Sequence, residues 1–450
     1  MQLNRQARNI AILRLAIPIV IAQLGGILQG WADTIMVGQY GTPELSAAGF
    51  VNNVINFCIF FLLGISYATT PIAGALFSQR KYGKVWCTLH ESNVVNLLAS
   101  LVVVIFLFLL YVNIEALGQP EELLPLIRPY FIVLLLSLPF LALFNSMKQF
   151  SDALGNTKTP MWVMIGSNVV NILLNYLLIF VFDLGLLGAG LATLISRALM
   201  PISIWMMIKW RMAKGKGEMA NMPQEAYGML HSPSRQGMIS LFRLGLPISV
   251  QLCLEASSFN VSALFMGWIG ATALAAHQVM GTVCTLAFMV VYGIGAAAAI
   301  RIAHYRGVGD WDEVRRTANA AFFMSCVTDA ILVGIICLAG QPIARIFTTS
   351  HEVTVLFLSF LPAFICYQIG DCMQIIYANA LRAIESVKAM MLYAVIAYVV
   401  ISIPLAYVFA FPLHMGAVGV WWSFPFGLTT AGLCYYFQFR RNTQQVKSSL

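Results

Sequence analysis

Long apolar stretches separated by short polar segments make up most of the sequence. An α-helix rises about 1.5 Å per residue, so ~20 apolar residues cross the ~30 Å hydrocarbon core of a bilayer. The stretches of sufficient length lie at residues 12–37, 47–76, 90–113, 129–154, 161–182, 187–210, 239–268, 271–300, 318–340, 353–381, 388–411 and 414–438. The pattern predicts an all-α integral membrane protein with twelve transmembrane helices.

Composition supports this prediction and excludes several functions. Of the 450 residues, 60% are hydrophobic and 10% are charged, and the mean hydropathy is +0.81. Soluble domains have about 45–50% apolar and about 25% charged residues. A chain with so few charged side chains cannot cover the surface of a soluble enzyme or a nucleic-acid-binding protein. We therefore expect the lipid bilayer, and no nucleic acid, as a partner.

The positive charges indicate how the chain is oriented. The formal net charge is +8. All Lys and Arg residues except Arg128, Arg197 and Arg345 fall at the N-terminus, in or beside the loops that follow even-numbered helices, or in the C-terminal tail. Basic residues favour the cytoplasmic side of a membrane. We predict a multi-pass protein of the cell inner membrane with both termini in the cytoplasm.

The sequence also contains an internal repeat. The run Leu13–Ile19 resembles Phe242–Ile248, 229 residues later, and Leu174–Tyr176 resembles Leu405–Tyr407. Each half would hold six helices, and because six is even, the two repeats would be parallel. We predict an N-lobe at residues 1–210, a cytoplasmic linker at 211–236 and a C-lobe at 237–450.

Four acidic residues fall within the predicted spans: Asp33, Glu255, Asp329 and Asp371. Inserting an ionised side chain at the centre of a membrane helix costs ~2.5–3.5 kcal/mol, so such residues are candidates for function. The structural alternative is that they join helices through hydrogen bonds worth ~0.6–2 kcal/mol each. No partner is evident for the isolated Asp329.

In the C-terminal half, polar residues accompany two of these acids at helical spacing. Gln251, Ser258 and Ser262 share a helix face with Glu255, and Tyr367 and Gln374 share one with Asp371. Carboxylate, hydroxyl and amide oxygens are ligands that hard cations prefer. The sequence therefore suggests a site for a monovalent cation.

In the N-terminal half, the polar residues are mainly amides. Asn168, Asn171 and Asn175 share a face of the fifth predicted span, while Gln29 and Asp33 lie on the first. One carboxyl group among amides suggests a group that can gain and lose a proton.

Other chemistry is not indicated. The sequence has no GxxxxGK[ST] phosphate-binding loop, which argues against ATP-driven transport by this chain alone. It has no HExxH motif and no histidines at ligand spacing, and we expect no cofactor.

Several of these runs resemble the multidrug and toxic compound extrusion (MATE) transporters, specifically the NorM-type branch. The resemblance rests on Asp33–Gly38, Gly245–Pro247 followed by Glu255, Ala275–Val279, and Tyr367 with Asp371. It implies two lobes around a central cavity and a secondary-active antiporter. Such a protein exports amphipathic cationic drugs in exchange for Na⁺ or H⁺ by alternating access, and we expect it to act as a monomer.

The resemblance also implies roles for individual residues. A C-lobe cation site would contain Glu255, Tyr367 and Asp371, with Na⁺ held by the two carboxylates. An N-lobe proton or substrate site would contain Asp33, Asn171, Asn175 and Thr193. The substrate cavity would be lined by Gln278, Phe288 and Tyr292. One departure is Asn175, where the proton-coupled DinF-like branch has an Asp.

Two other functions remain possible from the sequence. A flippase for lipid-linked oligosaccharides, from the same superfamily, would have a cationic cavity for pyrophosphate. A membrane-embedded enzyme would need a nucleophile and base, or metal ligands, at membrane depth. The sign of the charge in the cavity would separate the first from a cation exporter.

Overall fold

The computed structural model describes residues 4–117, 120–214 and 233–448. Most of the predicted linker, residues 215–232, therefore lies outside the described residues. The described ranges are almost entirely helical and contain no strand. This confirms the predicted all-α fold.

Among the described residues, seven α-helices precede the linker: α1 (Arg5–Tyr40), α2 (Thr42–Tyr67), α3 (Thr69–Ser78), α4 (Tyr82–Val112), α5 (Leu124–Ala153), α6 (Lys158–Tyr176) and α7 (Gly185–Ala213). Eight follow it: α8 (Arg235–Ile269), α9 (Ala271–Gly307), α10 (Trp311–Leu338), α11 (Gly340–Phe347), α12 (His351–Ala383), α13 (Val387–Ala394), α14 (Ile403–Ala410) and α15 (Gly416–Ser448). Wider π-helical turns continue α6 over Leu177–Val181 and join α13 to α14 over Val395–Ser402.

Within the described ranges, eleven helical segments are long and apolar enough to cross a membrane. They correspond to the first eleven predicted spans, with α2 and α3 forming one segment and α13 to α14 another. The twelfth predicted span lies in α15. Its Trp and Tyr side chains lower its hydropathy, yet Trp421 and Tyr435 are fully buried. Aromatic residues bury large apolar surfaces while keeping one polar atom.

The chain forms two compact units. The N-unit comprises Ile21–Ser249, and the C-unit comprises Met1–Val20 together with Val250–Leu450. These units differ from the predicted lobes, 1–210 and 237–450, in two places: the beginning of α1 groups with the C-unit, and the beginning of α8 groups with the N-unit.

Carboxylates hold these two helix beginnings in place. In the C-unit, Glu313 on α10 accepts hydrogen bonds from Arg8 Nε and Nη2 at 3.1 and 3.0 Å. In the N-unit, Glu91 on α4 accepts from the backbone N–H and hydroxyl of Ser234, just before α8, at 3.1 and 2.5 Å. Both contacts are buried or partly buried, so each helps to attach the start of its helix to the unit that contains the carboxylate.

The two halves share their unusual backbone positions. Among the described residues, eight of the nine with positive φ occur in pairs: Arg80 with Gly309, Gly155 with Glu385, Asp183 with His414, and Gly185 with Gly416; Gly270 is the exception. The two halves also share a close contact between a glycine and the backbone of a preceding helical turn. A Cβ on Gly188 would lie 2.7 Å from the Leu178 backbone, and one on Gly419 would lie 2.7 Å from the Phe409 backbone. The repeat in the sequence is therefore a repeat in the structure.

Candidate cation sites

Three of the four predicted membrane acids gather in the C-unit. Glu255 lies on α8, Asp329 on α10 and Asp371 on α12. Asp329 and Asp371 are buried, with exposed fractions of 5% and 8%, and Glu255 is half-buried. The charges of Glu255 and Asp329 both act on Asp371. The structure thus brings Glu255 and Asp371 into one electrostatic neighbourhood, and it adds Asp329.

The hydrogen bonds at these acids leave oxygen atoms open. Glu255 Oε2 accepts from Gln251 Nε2 at 2.8 Å and from Gln374 Nε2 at 3.1 Å. No described residue donates to Glu255 Oε1 or to the Asp371 carboxylate. Because a buried carboxylate without donors is costly, Glu255 Oε1 and the Asp371 carboxylate are suited to a bound cation or proton.

A neutral oxygen lies beside these carboxylates. Gln374 Oε1 is buried and has no hydrogen-bond partner among the described residues. Since its amide nitrogen donates to Glu255, this oxygen lies within the same cluster. Two carboxylates with an amide oxygen form a donor set that a hard monovalent cation prefers.

Tyr367 lies one helical turn before Asp371 on α12. Its hydroxyl lies near the thiol of Cys284 on α9. Its ring contacts Phe364, Trp421 and Phe424, with ring centroids 5.6, 6.4 and 6.3 Å apart. Tyr367 is thus close to the acids, while its role as a cation ligand stays a prediction.

Asp329 and Arg382 join this cluster, although sequence reasoning assigned neither of them a site role. Asp329 Oδ1 accepts from Gln368 Nε2 at 2.7 Å. Arg382 Nη2 donates to Gln251 Oε1 at 2.6 Å, and its charge acts on Glu255. The spacing could have indicated Arg382, because residues eleven apart, such as Asp371 and Arg382, lie on one helix face three turns apart.

Two of the three predicted cavity residues lie together in the C-unit. The rings of Phe288 and Tyr292 on α9 stack with centroids 6.0 Å apart. They pack against a small core that includes Cys372, the neighbour of Asp371. Gln278 is exposed on the same helix, roughly 15 Å from Phe288 along the axis. The structure therefore places an aromatic pair, but not Gln278, beside the acids.

In the N-unit, the predicted polar residues surround Asp33. Asp33 Oδ1 accepts a short hydrogen bond of 2.5 Å from Asn175 Nδ2, which also donates to Asn171 Oδ1 at 3.2 Å. Gln29 provides a further side-chain hydrogen bond to Asp33. Asn171 and Asn175 are fully buried, so this amide network joins α1 to α6. Among the described residues, no hydrogen bond joins Thr193 to Asp33.

Arg197 on α7 also faces Asp33. The charges of the two residues act on each other, and Arg197 Nη1 donates to the Ser137 hydroxyl at 2.8 Å. A half-buried carboxylate therefore has amide donors and a cationic neighbour in the same unit. Such an acid can exchange one positive partner for another, whether a proton or a cationic ligand.

The described residues contain no group of three or more His, Cys, Asp and Glu side chains that could hold a metal ion. A monovalent ion needs less charge, and two carboxylates with neutral oxygens supply it.

Comparison with known proteins identifies the family. The MatE family model matches residues 18–177 and 247–408. The two matches begin 229 residues apart, the offset of the first sequence repeat. The chain is 28% identical to the multidrug resistance protein NorM of Vibrio cholerae over 96% of this chain and 94% of that protein. It is 30% identical to a probable multidrug resistance protein NorM of Bradyrhizobium diazoefficiens, over 92% and 89%.

Solved structures share the fold. The eukaryotic MATE transporter AtDTX14 superposes with a TM-score of 0.86 at 18% identity, over 99% of each chain. A mutant of the Vibrio cholerae MATE transporter VcmN has a TM-score of 0.85 at 18% identity, over 98% of each chain. Twelve membrane helices in two repeats agree with these structures. With its family match repeated in both halves and relatives similar over nearly their full length, the chain belongs to the MatE family of membrane transporters and is not an enzyme.

Proposed function

We propose that this protein is a secondary-active multidrug efflux antiporter of the inner membrane. It exports amphipathic cationic compounds in exchange for Na⁺, H⁺ or both, by alternating access. The observation that carries the proposal is the C-unit cluster, in which the buried Asp371 carboxylate and Glu255 Oε1 have no donor among the described residues. The names of the NorM relatives support a multidrug substrate range.

Charge competition explains how an ion gradient drives export. A bound Na⁺ or proton neutralises part of the acidic cluster and so lowers its affinity for a cationic drug. A ligand shifts a conformational equilibrium only through its different affinities for the two states. The coupling ion therefore favours the outward state and promotes drug release.

The available energy is sufficient for accumulation. A tenfold ion gradient supplies ~1.4 kcal/mol per ion at 25 °C, and a 100 mV potential adds ~2.3 kcal/mol per charge. Exchange of one ion for one singly charged drug moves no net charge, so the tenfold ion gradient alone sustains a drug gradient of about tenfold. A second ion per drug would add both its own gradient and the membrane potential.

The stacked Phe288 and Tyr292 rings suit the proposed substrates. An aromatic face attracts an organic cation by about 0.5–2 kcal/mol and accepts many shapes. Because these rings pack beside Cys372, a drug on them would lie close to Asp371. A flippase for pyrophosphate-linked lipids would need cationic groups instead, and Arg197 is already engaged with Ser137 and Asp33.

The test is ethidium transport in inverted membrane vesicles with Na⁺ and H⁺ gradients imposed one at a time. We expect at least one gradient to drive uptake into the vesicles, and the Glu255→Gln, Asp371→Asn double variant to lose this uptake. If neither gradient changes ethidium movement, the antiport proposal is wrong.

A further inference from the structure

A buried cation is already attached to the C-unit acid cluster. The Arg382 side chain, on the last turn of α12, is 6% exposed. It donates to Gln251 Oε1 at 2.6 Å, and Gln251 Nε2 donates to Glu255 Oε2 at 2.8 Å. Gln251 is fully buried. Arg382, Gln251 and Glu255 thus form a relay in which both ends of one amide are used.

The relay fixes the geometry of Glu255. The amide of Gln251 satisfies both neighbours in only one orientation, with oxygen toward the guanidinium and nitrogen toward the carboxylate. Since Gln374 donates to the same Oε2 atom, the two amides hold this oxygen, and Oε1 has no donor among the described residues. The carboxylate therefore presents one atom to an incoming cation.

The relay also places a permanent positive charge near the cation site. Across two hydrogen bonds and one amide, the guanidinium lies roughly 7 Å from the carboxylate. A guanidinium group stays charged at any physiological pH. Arg382 therefore repels a cation that binds Glu255, at every stage of a transport cycle in which the relay persists.

We propose that Arg382 is an internal competitor of the coupling cation: through Gln251 it orients Glu255, and its charge weakens cation binding enough for the ion to be released. This inference rests on the proposed function, because it concerns the same cation site. Arg382 is a positioning and affinity-setting residue that does not itself touch the ion.

The other polar neighbours of Glu255 do not offer this charge. Gln374 is neutral, and the hydroxyls of Tyr398 and Tyr435 lie close enough for the Glu255 charge to act on them but carry no positive charge. Asp371 and Asp329 add negative charge. Without Arg382, the cluster would hold two or three carboxylates against one monovalent ion, which favours tight binding and slow release.

The experiment is Na⁺ titration of the purified full-length protein, followed by calorimetry and by tryptophan fluorescence. Trp421 contacts the Tyr367 ring and can report on the site. For Arg382→Gln we expect a Kd for Na⁺ roughly tenfold lower than that of the wild type, since a unit charge at this distance and an effective dielectric of ~20 has at least an effect of this order. Arg382→Lys, which keeps the charge, should change the Kd much less.

Arg306→Gln is the matched control. Arg306 also lies in the C-unit, half-buried, but pairs with Glu385 at 2.7 Å and donates to the Ala383 carbonyl. The Kd of the Arg306→Gln variant for Na⁺ should equal that of the wild type. Where Arg382→Gln does not fold, Arg382→Met keeps the apolar length of the side chain and is expected to show the same decrease.

The outcomes separate the inference from the proposed function. An unchanged or higher Kd in Arg382→Gln and Arg382→Met, with normal wild-type binding, overturns the competitor role alone. Wild-type protein that binds no Na⁺ overturns both this inference and Na⁺ coupling. A decrease in Arg382→Gln and Arg382→Met that is much smaller in Arg382→Lys and absent in Arg306→Gln supports the inference.

Discussion

Each oxygen of the Glu255 carboxylate has a different environment. Oε2 takes both amide hydrogen bonds, whereas Oε1 receives none from the described residues. Asp371 is buried and lies in the field of two other carboxylates. At the scale of single residues, these two positions are where a positive charge would be most stabilising.

Removing either charge should therefore remove cation coupling. We expect Asp371→Asn and Glu255→Gln each to reduce Na⁺-stimulated ethidium efflux at least tenfold, because the amide keeps the shape but cannot neutralise a cation. The protein should still reach the membrane, since Asp371→Asn also relieves repulsion between like charges. Efflux assays and membrane quantification check both statements.

The control for this pair is Glu352→Gln, an exposed acid in the first turn of α12. It lies on the same helix as Asp371 and far from the cluster, so efflux should be unchanged. Equal loss in Glu352→Gln and Asp371→Asn would contradict a specific cation site.

In the N-unit, the role of Asp33 in transport can be tested in the same way. We expect Asp33→Asn to impair efflux of cationic drugs severalfold with nearly normal folding, because an amide can keep part of the network with Asn175. Efflux measured between pH 6 and 8 with several drugs is the readout. Asp183→Asn is the control, since Asn tolerates the left-handed φ of 54° at that position. Wild-type efflux in Asp33→Asn would make Asp33 a structural residue.

Sequence reasoning picked out some members of the candidate clusters and missed others for a physical reason. Glu255, Asp371 and Asp33 were predictable because a lone acid in an apolar stretch is costly. Asp329 looked isolated because its partner, Gln368, is 39 residues away. Arg382 fitted the pattern of a basic residue at a helix end, so its contact with Gln251, 131 residues away, was not visible.

At the scale of helices, the predicted spans were confirmed but their interruptions were not predicted. The second span breaks at Ala68 into α2 and α3, where Pro71 cannot donate a backbone hydrogen bond to the preceding turn. The π-helical turns after α6 and before α14 also have no hydropathy signal. Hydropathy reports how long an apolar stretch is, but not which backbone hydrogen bonds it forms.

The repeated close approach predicts a specific instability. Gly188→Ala would place a Cβ 2.7 Å from the Leu178 backbone, and Gly419→Ala would do the same at Phe409. Backbone cannot move aside cheaply, so we expect each change to cost about 1–3 kcal/mol and to lower the melting temperature in detergent. Gly166→Ala, which meets nothing within 4 Å, should leave it unchanged. A stable Gly188→Ala variant would show that the π-helical turn adapts.

The buried ion pair between Arg8 and Glu313 should also stabilise its unit. Their side chains are 9% and 3% exposed. Breaking such a pair by removing one charge costs about 3–5 kcal/mol, so Glu313→Gln should lower the melting temperature clearly. The neighbouring Asp312→Asn is the comparison, because its 50% exposed side chain lies 3.8 Å from Arg315 and such pairs contribute about 0–1 kcal/mol. Equal shifts in the two variants would refute this ranking.

At the scale of the whole molecule, the charge distribution predicts the orientation. Both termini should be cytoplasmic, because most basic residues lie at the termini and in or beside the loops that follow the even-numbered predicted spans. A green fluorescent protein fused to the C-terminus should fluoresce, and an alkaline phosphatase fusion at the same position should be inactive. An active phosphatase fusion would place the C-terminus outside.

The internal repeat was readable from the sequence because equivalent turns reuse the same residues. Glycines recur at 185 and 416, and prolines recur inside α1 and α8. The sequence did not predict which unit the beginning of α1 packs into, because Arg8 and its partner Glu313 are 305 residues apart. Local patterns predict repeated elements, whereas contacts between distant segments decide which elements pack together.

The beginning of α1 packs in the C-unit and the beginning of α8 packs in the N-unit. This arrangement has a consequence for biosynthesis. The C-unit contains both the first twenty residues and the last two hundred. A ribosome therefore delivers the start of α1 to the membrane long before α10, with its Glu313, has been made. Until then the ion pair between Arg8 and Glu313 cannot form, and the N-unit likewise waits for residues 235–249. Two half-genes cut within residues 215–232 should restore efflux when they are expressed together, and neither half should accumulate stably alone.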